Sequence, residues 1–425
     1  MYLRNTFTFV GTAKIPKASE KFTPYSEKDY RTSGWTNRDL KFNVICGNNR
    51  HILEVRDGHW TDGHGNVFTL GKSTRDKDGN FVHGEKLEIP WADRFNPDQI
   101  SKVAPFKKFI VDLNNPETRN KFYSALPDFK SGNMTDEELS YFNCSSIDDF
   151  NKIIEGYNKH RREFLTGFDF AEFVYKILKS GKLDKVKLHI TGDIAITHDD
   201  RPDHEGFYRH YIPNRIRIAD QDEPETSEGS IEIYYNKNSL DSGSLDEKGK
   251  YYVHGYTFSY DSNRKKQIPC PVVLSINAKG NPNDPEDKTE KWAEVFKKRF
   301  TIQNDDSVKW KYIGVKVDLL EGSQEVEITD DMLSQNEKEM LALNLITKED
   351  ILKDRGGKIY GDIVREDIIK GYARGWLVGP KPTNYEDSDF ILPPLSGASK
   401  PEKNNDDFTD VKDSDPDDIF SDIPV

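Results

Sequence analysis

The amino-acid sequence predicts an α+β protein in which short strands close into one or two small antiparallel β-barrels, with helical insertions and a disordered acidic C-terminal tail. The strands are indicated by alternation of apolar and polar residues, the pattern of a half-buried strand. A central stretch shows helical periodicity and capping signals instead. Beyond residue 379 the chain becomes rich in proline and then in acids, as linkers and disordered tails are.

The first strands are predicted near the N-terminus. Residues 5–15 place one set of side chains on a single face: Phe7, Phe9, Gly11, Ala13 and Ile15. Residues 38–46 alternate again, and a Gly-Asn-Asn turn at 47–49 leads into a returning strand at 50–56. The chain therefore opens with a strand, a long polar loop and a hairpin.

A short internal echo links two of the predicted strands. Residues 9–15 resemble residues 190–196, and each segment carries a glycine at the same offset, Gly11 and Gly192. A strand that coils sharply around a small barrel needs such a glycine. The echo indicates either two related barrels or a chance similarity of two strands.

Helices and further strands are predicted downstream. Ser146 and Asp149 resemble a capping box that opens a helix, and a second helix is expected over 169–180. Further strands are expected at 185–197, 207–219, 230–236, 250–260, 272–276 and 309–319, with a charged helix at 284–300. Residues 324–376 are interpreted as largely helical.

The charge is unevenly distributed. The 425 residues carry a net charge of −13, but residues 401–425 hold nine acids and two lysines and so carry −7. The other 400 residues carry −6, from 59 basic and 65 acidic side chains. A nearly balanced body can still present a basic surface, so the overall acidity does not exclude nucleic acid as a partner.

The cysteine pattern and the hydropathy indicate the cellular compartment. Cys46, Cys144 and Cys270 lie far apart in the chain, which predicts free thiols in a reducing cytoplasm. No apolar run approaches the length of a membrane span, and the N-terminus lacks a signal-peptide pattern.

The tip of the tail combines acids with apolar anchors. Its last residues include Asp417, Asp418, Ile419, Phe420, Asp422, Ile423, Pro424 and Val425. A segment of this kind can order on binding in an apolar groove with a basic rim. The composition favours docking of a partner protein over a passive solubility tail.

This ending resembles the tail of bacterial and bacteriophage single-stranded-DNA-binding proteins, which finish with acids followed by Ile-Pro-Phe. Asp417-Asp418 and Asp422-Ile423-Pro424 match that pattern, whereas Val425 departs from the final Phe. The resemblance covers under ten residues. It implies a non-enzymatic bacteriophage protein of DNA replication or recombination in the host bacterial cytoplasm, without cofactor or metal. It also implies a tail that recruits replication proteins and competes with DNA for a basic groove.

The body is expected to bind the DNA. Cations neutralise phosphates and aromatic side chains stack on bases, and the small open barrel called the OB-fold provides both. The candidate DNA-binding residues are aromatic or basic residues on or beside strands: Trp35, Arg38, Lys41, Arg50, Arg56, Trp60, Tyr208, Arg209, Tyr211, Arg215, Arg217, Tyr256 and Lys265. The alternative for Trp35 and Trp60 is that they close the barrel ends, and the ring stripe over 252–260 is otherwise a core stripe.

The predicted organisation has five parts. They are an OB-like barrel over 1–97, a helical insertion over 98–184, a second β-rich region (OB-like if the echo marks a repeat) over 185–323, a helical region over 324–379, and a disordered linker and tail over 380–425.

The sequence is also compatible with two other functions. One is a non-enzymatic bacteriophage scaffold or interaction protein with a generic acidic tail. The other is a metal-dependent nuclease that uses His198, Asp199 and His204. A second loop with ligand-type residues contains Asp57, His59, Asp62 and His64.

Overall fold

The computed structural model describes residues 5–20, 22–30, 34–60, 65–77, 79–121, 134–243, 245–280, 284, 286–302, 308–325, 332–354 and 360–395. The predicted tail residues 401–425 lie outside these ranges. The first ten strands are β1 (Thr6–Lys14), β2 (Tyr25–Tyr30), β3 (Trp35–Cys46), β4 (Asn49–Trp60), β5 (Asn66–Leu70), β6 (Thr74–Arg75), β7 (Phe81–Val82), β8 (Lys86–Pro90), β9 (Phe109–Asp112) and β10 (Arg161–Phe164).

The later strands lie in the second half of the chain. They are β11 (Lys187–Asp199), β12 (Gly206–Ile218), β13 (Thr226–Tyr235), β14 (Leu240–Asp241), β15 (Lys250–Asp261), β16 (Lys266–Asn277), β17 (Trp310–Glu325), β18 (Tyr360–Tyr372) and β19 (Lys381–Thr383). The helices are α1 (Pro97–Lys102), α2 (Asp136–Tyr141), α3 (Ile147–His160), α4 (Gly167–Lys179), α5 (Leu245–Lys248), α6 (Thr289–Phe300), α7 (Gln335–Ala342) and α8 (Lys348–Asp354).

Most of the strands belong to one sheet. Within the described residues, fifteen strands are connected by hydrogen bonds, and the small hairpins β5–β8 and β6–β7 stand apart. The central strand is β1, which pairs with β11, with β13 and, at its C-terminal end, with β3. The sheet is mixed, because β12 runs parallel to β4 and β9, and β16 runs parallel to β18.

The pairing forms two circuits of five strands within this sheet. The first runs β1–β3–β4–β12–β11 and returns to β1. The second runs β13–β15–β16–β18–β17 and returns to β13. The β1–β13 ladder joins the circuits over Thr6 to Val10.

The predicted fold class, one or two small OB-like barrels, is therefore wrong: the strands form one 15-stranded mixed sheet rather than separate small barrels. Alternation identifies the strands and their buried faces. It carries no information on which edge of a strand meets which partner, and β1 shares one edge between β13 and β3.

The two glycines of the sequence echo occupy equivalent positions. A Cβ atom at Gly11 would collide with the carbonyl oxygen of Ile45 in β3, and one at Gly192 would collide with that of Ile212 in β12. A β-bulge lies at Thr191/Gly192 in the β11–β12 ladder. Each glycine thus permits a close approach of two backbones within the single sheet, whereas the sequence interpretation is a strand that coils sharply around a small barrel.

The core follows the alternation. β11 alternates buried and half-buried residues along nearly its whole length. The largest apolar cluster takes side chains from both circuits, including Phe9 and Phe42 from the first and Ile233 and Val315 from the second. Helix α4 buries Phe170, Val174 and Ile177 in the same cluster.

Some of the predicted helices agree with the structure and others do not. Ser146 caps α3, its hydroxyl accepting a 3.2 Å hydrogen bond from the Asp149 amide, as predicted. The helix expected over 169–180 is α4, with Thr166 as its cap. Strand β18, however, lies inside the stretch interpreted as largely helical, and β9 and β10 lie inside the region predicted as a helical insertion. The division of the chain into five parts remains a prediction.

No helix among the described residues is long and apolar enough to cross a membrane.

Replacing Gly11 with alanine is expected to lower the free energy of unfolding by about 1–3 kcal/mol, because the new methyl group must displace backbone of β3. Chemical denaturation measures the change. Gly156→Ala is the control: it lies in α3 with no atom near the added methyl group, and we expect it to stabilise the chain by roughly 0.5–1 kcal/mol. Equal effects of the two substitutions would contradict the close approach at Gly11.

The three thiols are expected to react slowly in the folded chain. Burial raises the pKa of Cys46 and that of Cys270 to about 12, and burial also raises the pKa of Cys144. Since the thiolate is the reactive form, labelling with a disulfide reagent at pH 8 should become fast only after denaturation. Rapid labelling of one thiol per native chain would contradict this.

Candidate nucleic-acid interface

Three aromatic rings meet at one end of the β2–β3–β4 segment. Tyr30 lies opposite Trp35 in the β2–β3 ladder, and Trp35 lies opposite Trp60 in the β3–β4 ladder. Residues directly opposite one another in antiparallel strands share a face of the sheet. The indole rings of Trp35 and Trp60 stand edge to face, with centroids 5.1 Å apart.

These rings line an open pocket of about 400 Å³, completed by Asn37 and Arg56 and called the aromatic pocket below. Trp60 and Tyr30 are 40% and 38% exposed, so their ring faces are accessible. The indole of Trp35 packs over Gly58, where a Cβ atom would come within 2.6 Å of the ring. The glycine in β4 therefore allows Trp35 to lie flat along the strand.

The pocket has a positive side. The Arg56 guanidinium is 67% exposed and 3.4 Å from the Asp39 carboxylate. Burial raises the pKa of Asp39, although Arg56 acts in the opposite direction. Lys28 Nζ lies 4.9 Å from the centre of the Tyr30 ring. Cations beside exposed rings are the combination that binds phosphate and stacked base together.

The same outer face of β3 and β4 continues into a groove of about 650 Å³. Along β4 the outward residues after Arg56 are Glu54 and Ile52, and Lys41 lies opposite Glu54. The groove is lined by Phe22, Lys41, Ile52, Glu54, Phe207, Tyr208, Arg209, His210, Tyr211, Val273, Leu320, Glu321, Arg365, Glu366 and Asp367. Residues from both strand circuits therefore line one groove.

The cations of the groove are largely paired with carboxylates. Arg209 binds Asp367 through two nitrogens, and although burial disfavours its charge, this carboxylate raises the pKa of Arg209. Glu54 accepts a 2.9 Å hydrogen bond from the ring of His210, which lowers the pKa of Glu54, and it lies 3.7 Å from Lys41. The groove is therefore close to neutral at its floor.

Arg365 differs from the other groove cations. Its side chain is 79% exposed, and its Nε lies 3.4 Å from the Glu321 carboxylate. Arg365, Glu366 and Val273 also line a neighbouring cavity of about 440 Å³ that contains Lys248, Lys250 and Tyr252. The groove thus extends towards β15, with Arg365 at the junction.

Seven of the thirteen predicted residues line the pocket or the groove: Trp35, Lys41, Arg56, Trp60, Tyr208, Arg209 and Tyr211. Tyr208 is 45% exposed and donates a hydrogen bond to the carbonyl of His204. Tyr211 is 5% exposed and packs against the rings of Phe7 and Phe9. Tyr211 therefore contributes an edge to the groove rather than a stacking face.

The other six lie elsewhere. Arg38 contacts Glu27 and Glu172 and lies over the Phe168 ring, and Arg217 contacts Asp220 and Glu223. Tyr256 belongs to a ring cluster with Trp310 and Phe390. The remaining three are exposed on the hairpin, on β12 and in the β15–β16 turn: Arg50, Arg215 and Lys265.

Sequence reasoning missed Tyr30, Lys28 and Arg365. Tyr30 ends β2, in a segment interpreted as a polar loop, because its residues show no apolar alternation. Arg365 lies in β18, within the stretch interpreted as helical. Tyr252 was recognised only as part of the ring stripe. Tyr25 and Tyr30 stand at the two ends of β2. Because tyrosine is enriched in strands, these two residues are the local signal for a strand.

The residues of the nuclease alternative have other partners. The Arg201 side chain binds the Asp199 carboxylate and lowers the pKa of that carboxyl to about 2. Asp200 binds Arg264 and the ring of His198. No group of three His, Cys, Asp or Glu side chains suited to a metal ion is found among the described residues. Asp62 and His64 lie outside them.

No protein-family model and no curated protein matches this chain. Among solved structures, it is similar to a deletion mutant of the single-stranded DNA binding protein from Thermus aquaticus, with a TM-score of 0.27 and 7% sequence identity. The similarity covers 75% of this chain and 87% of that chain.

The Arg209–Asp367 pair joins β12 to β18 across the groove, and Asp367→Asn is expected to destabilise the chain. Because Arg209 would keep a largely buried charge without its counter-ion, we expect a loss of about 2 kcal/mol in the free energy of unfolding. Asp318→Asn is the control, since its partner Lys370 is 55% exposed. That change should cost less than about 1 kcal/mol, and a similar loss in both variants would contradict the role of the pair.

Proposed function

We propose that this protein binds single-stranded DNA and does so without catalysing a reaction on it. The observation that carries the proposal is the aromatic pocket, in which the exposed rings of Tyr30 and Trp60 lie beside Trp35 and the exposed Arg56. Base–ring stacking tolerates any sequence and contributes about 1–3 kcal/mol per base.

The strand would run from the aromatic pocket along the outer face of β4 into the groove. Trp60 and Ile52 are eight residues apart on one face of β4, a distance of roughly 27 Å at about 3.4 Å per residue. Further along, Tyr208 and Arg365 supply an exposed ring and an exposed cation. The exposed rings along this path suit a flexible strand with accessible bases, and the exposed Arg56 and Arg365 can each contact a phosphate.

Single strands are favoured over duplex for a physical reason. In a duplex the base faces are stacked on one another, so the pocket rings could reach them only after unpairing. The paired carboxylates of the groove floor also weaken a purely electrostatic attraction to duplex phosphates. Affinity should therefore depend on stacking more than on charge.

The tail supports a second part of the proposal, which rests on the sequence resemblance. We propose that residues 417–425 recruit proteins of DNA replication or recombination, in a bacteriophage setting, while the body holds the DNA. The scaffold alternative predicts no binding of single-stranded DNA at any salt concentration. No described residue cluster favours the nuclease alternative.

Trp60→Ala is expected to weaken binding of a fluorescent oligothymidylate by about 1–3 kcal/mol, through loss of one stacking face. Fluorescence anisotropy at low salt measures the dissociation constant. Tyr141→Ala is the control, because Tyr141 is also an exposed ring, 57% exposed, on α2. Equal affinities of the two variants, or no preference of the parent for single strands over duplex, would refute the proposal.

Arg56→Ala should change the salt dependence as well as the affinity. If Arg56 neutralises one phosphate, the slope of log K against log salt concentration should become shallower by about 0.7. Arg38→Ala removes a cation that is already held by two glutamates, so its slope should match that of the parent protein. A slope unchanged in Arg56→Ala would place the phosphate elsewhere.

A further inference from the structure

An apolar patch is exposed where α6 lies beside the turn between β18 and β19. Trp292 and Val295 on α6 are 48% and 40% exposed, and Leu377 and Val378 in the turn are 79% and 81% exposed. Trp292, Val295 and Arg299 are spaced by three and four residues, which places them on one face of the helix.

The helix and the turn meet at Arg299 and Gly379. Trp376 anchors the turn: it is buried and lies 5.3 Å from the Tyr312 ring. Gly375 and Gly379 adopt φ of 88° and 98°, which lets the chain turn sharply and point the two residues after Trp376 outwards. The Arg299 guanidinium lies against Gly379, where a Cβ atom would come within 2.8 Å of its Nη1. Arg299 thus bridges the helix face and the turn.

The rim of this patch is basic. Lys298, Arg299 and Arg374 are exposed, and no ion pair of these three side chains is found within the described part of the chain. The cations of the groove are, by contrast, mostly held by carboxylates. An exposed apolar patch with a charged rim marks an interaction surface for a peptide of complementary composition.

We propose that the patch, formed by Trp292, Val295, Leu377 and Val378 with the rim of Lys298, Arg299 and Arg374, binds the tip of this chain's own tail. The tip offers matching chemistry: apolar anchors at Ile419, Phe420, Ile423 and Val425, and carboxylates at Asp417, Asp418 and Asp422. The apolar anchors cover the exposed rings and methyl groups, while the carboxylates pair with the free cations.

The number of residues between the described fold and Asp417 sets how far the tip can reach. The last described residue is Leu395, and 21 residues separate it from Asp417. A flexible linker of this length has a typical end-to-end distance of about 25 Å and can extend much further. The segment before it is anchored to the same sheet, because β19 pairs with β17 and the Pro393 carbonyl accepts a 2.7 Å hydrogen bond from Arg264.

Docking here leaves the groove open. Trp376 packs beside Gly314 of β17, whereas the groove begins at Leu320 of the same strand. Six residues of strand correspond to roughly 20 Å. The patch therefore binds the tip away from the groove. A partner protein that binds the tip more tightly would displace it from the patch. This inference concerns the tail alone and stands apart from the proposal of DNA binding.

The experiment uses the full chain with Ser421→Cys labelled with bimane, a fluorophore that tryptophan quenches on contact. The native thiols are buried, so the added cysteine takes the label. We expect strong quenching in the parent chain, most of it lost when Trp292→Phe removes the quencher. The double change Leu377→Asp with Val378→Asp, which keeps Trp292, should also abolish most of the quenching. The control Leu343→Asp with Leu345→Asp, at similarly exposed positions, should leave it unchanged.

Charge complementarity has its own test. Arg299→Glu should reduce the quenching, and adding Asp422→Lys in the same chain should restore part of it. The proposal is overturned if the parent chain shows no quenching, or if both aspartate pairs act alike. Loss of quenching in Trp60→Phe instead of Trp292→Phe would place the tip in the aromatic pocket. Loss on dilution would show that the tip docks on a second copy, which also contradicts docking within one molecule.

Discussion

The fold depends on the hydrogen bonds that β1 makes along both of its edges. One edge pairs with β11, and the other is shared between β13 and the end of β3. This nine-residue strand belongs to the first circuit and pairs with β13 of the second. Asn5, just before it, adds a second tie, because its side chain donates to Thr257 and accepts from the Glu232 amide. Among the described strands, the β1–β13 ladder holds the backbone hydrogen bonds that join the two circuits.

The joint between the circuits also shapes the groove. His51 of β4 is fully buried, stacks on Phe9 and contacts both Ser227 of β13 and Glu321 of β17. Together with the Arg209–Asp367 pair, this fixes β4 and β12 relative to β17 and β18. Buried polar ties of this kind need their partners in place, since an unpaired member costs free energy. The groove therefore lies where these ties hold the two circuits together.

Some of this follows from the sequence and some cannot. Alternation predicts β1, β3, β4 and β11, because the side-chain period is a local property. The predicted hairpin strands, 38–46 and 50–56, stop short of Trp35 and Trp60, which lie opposite each other in the structure. The pairing of β1 with β13, the packing of Tyr211 against Phe7 and Phe9, and the contact of Arg38 with Glu172 each join residues more than a hundred positions apart. No local pattern encodes them, so the 13 candidate residues divided about evenly.

The distribution of paired and free cations connects the two proposals. An acidic tail on a DNA-binding body must not occupy the DNA site too tightly, because it is present at high local concentration. In the groove, Glu54, Glu321, Glu366 and Asp367 hold the cations and repel another carboxylate. That repulsion does not affect stacking on neutral rings. Every base of DNA can stack in this way, whereas the tip has a single aromatic residue, Phe420. Among the described residues no ion pair holds Lys298, Arg299 or Arg374, and the nearby Glu294 contacts Lys297, so electrostatics favour the tail at the patch over the groove.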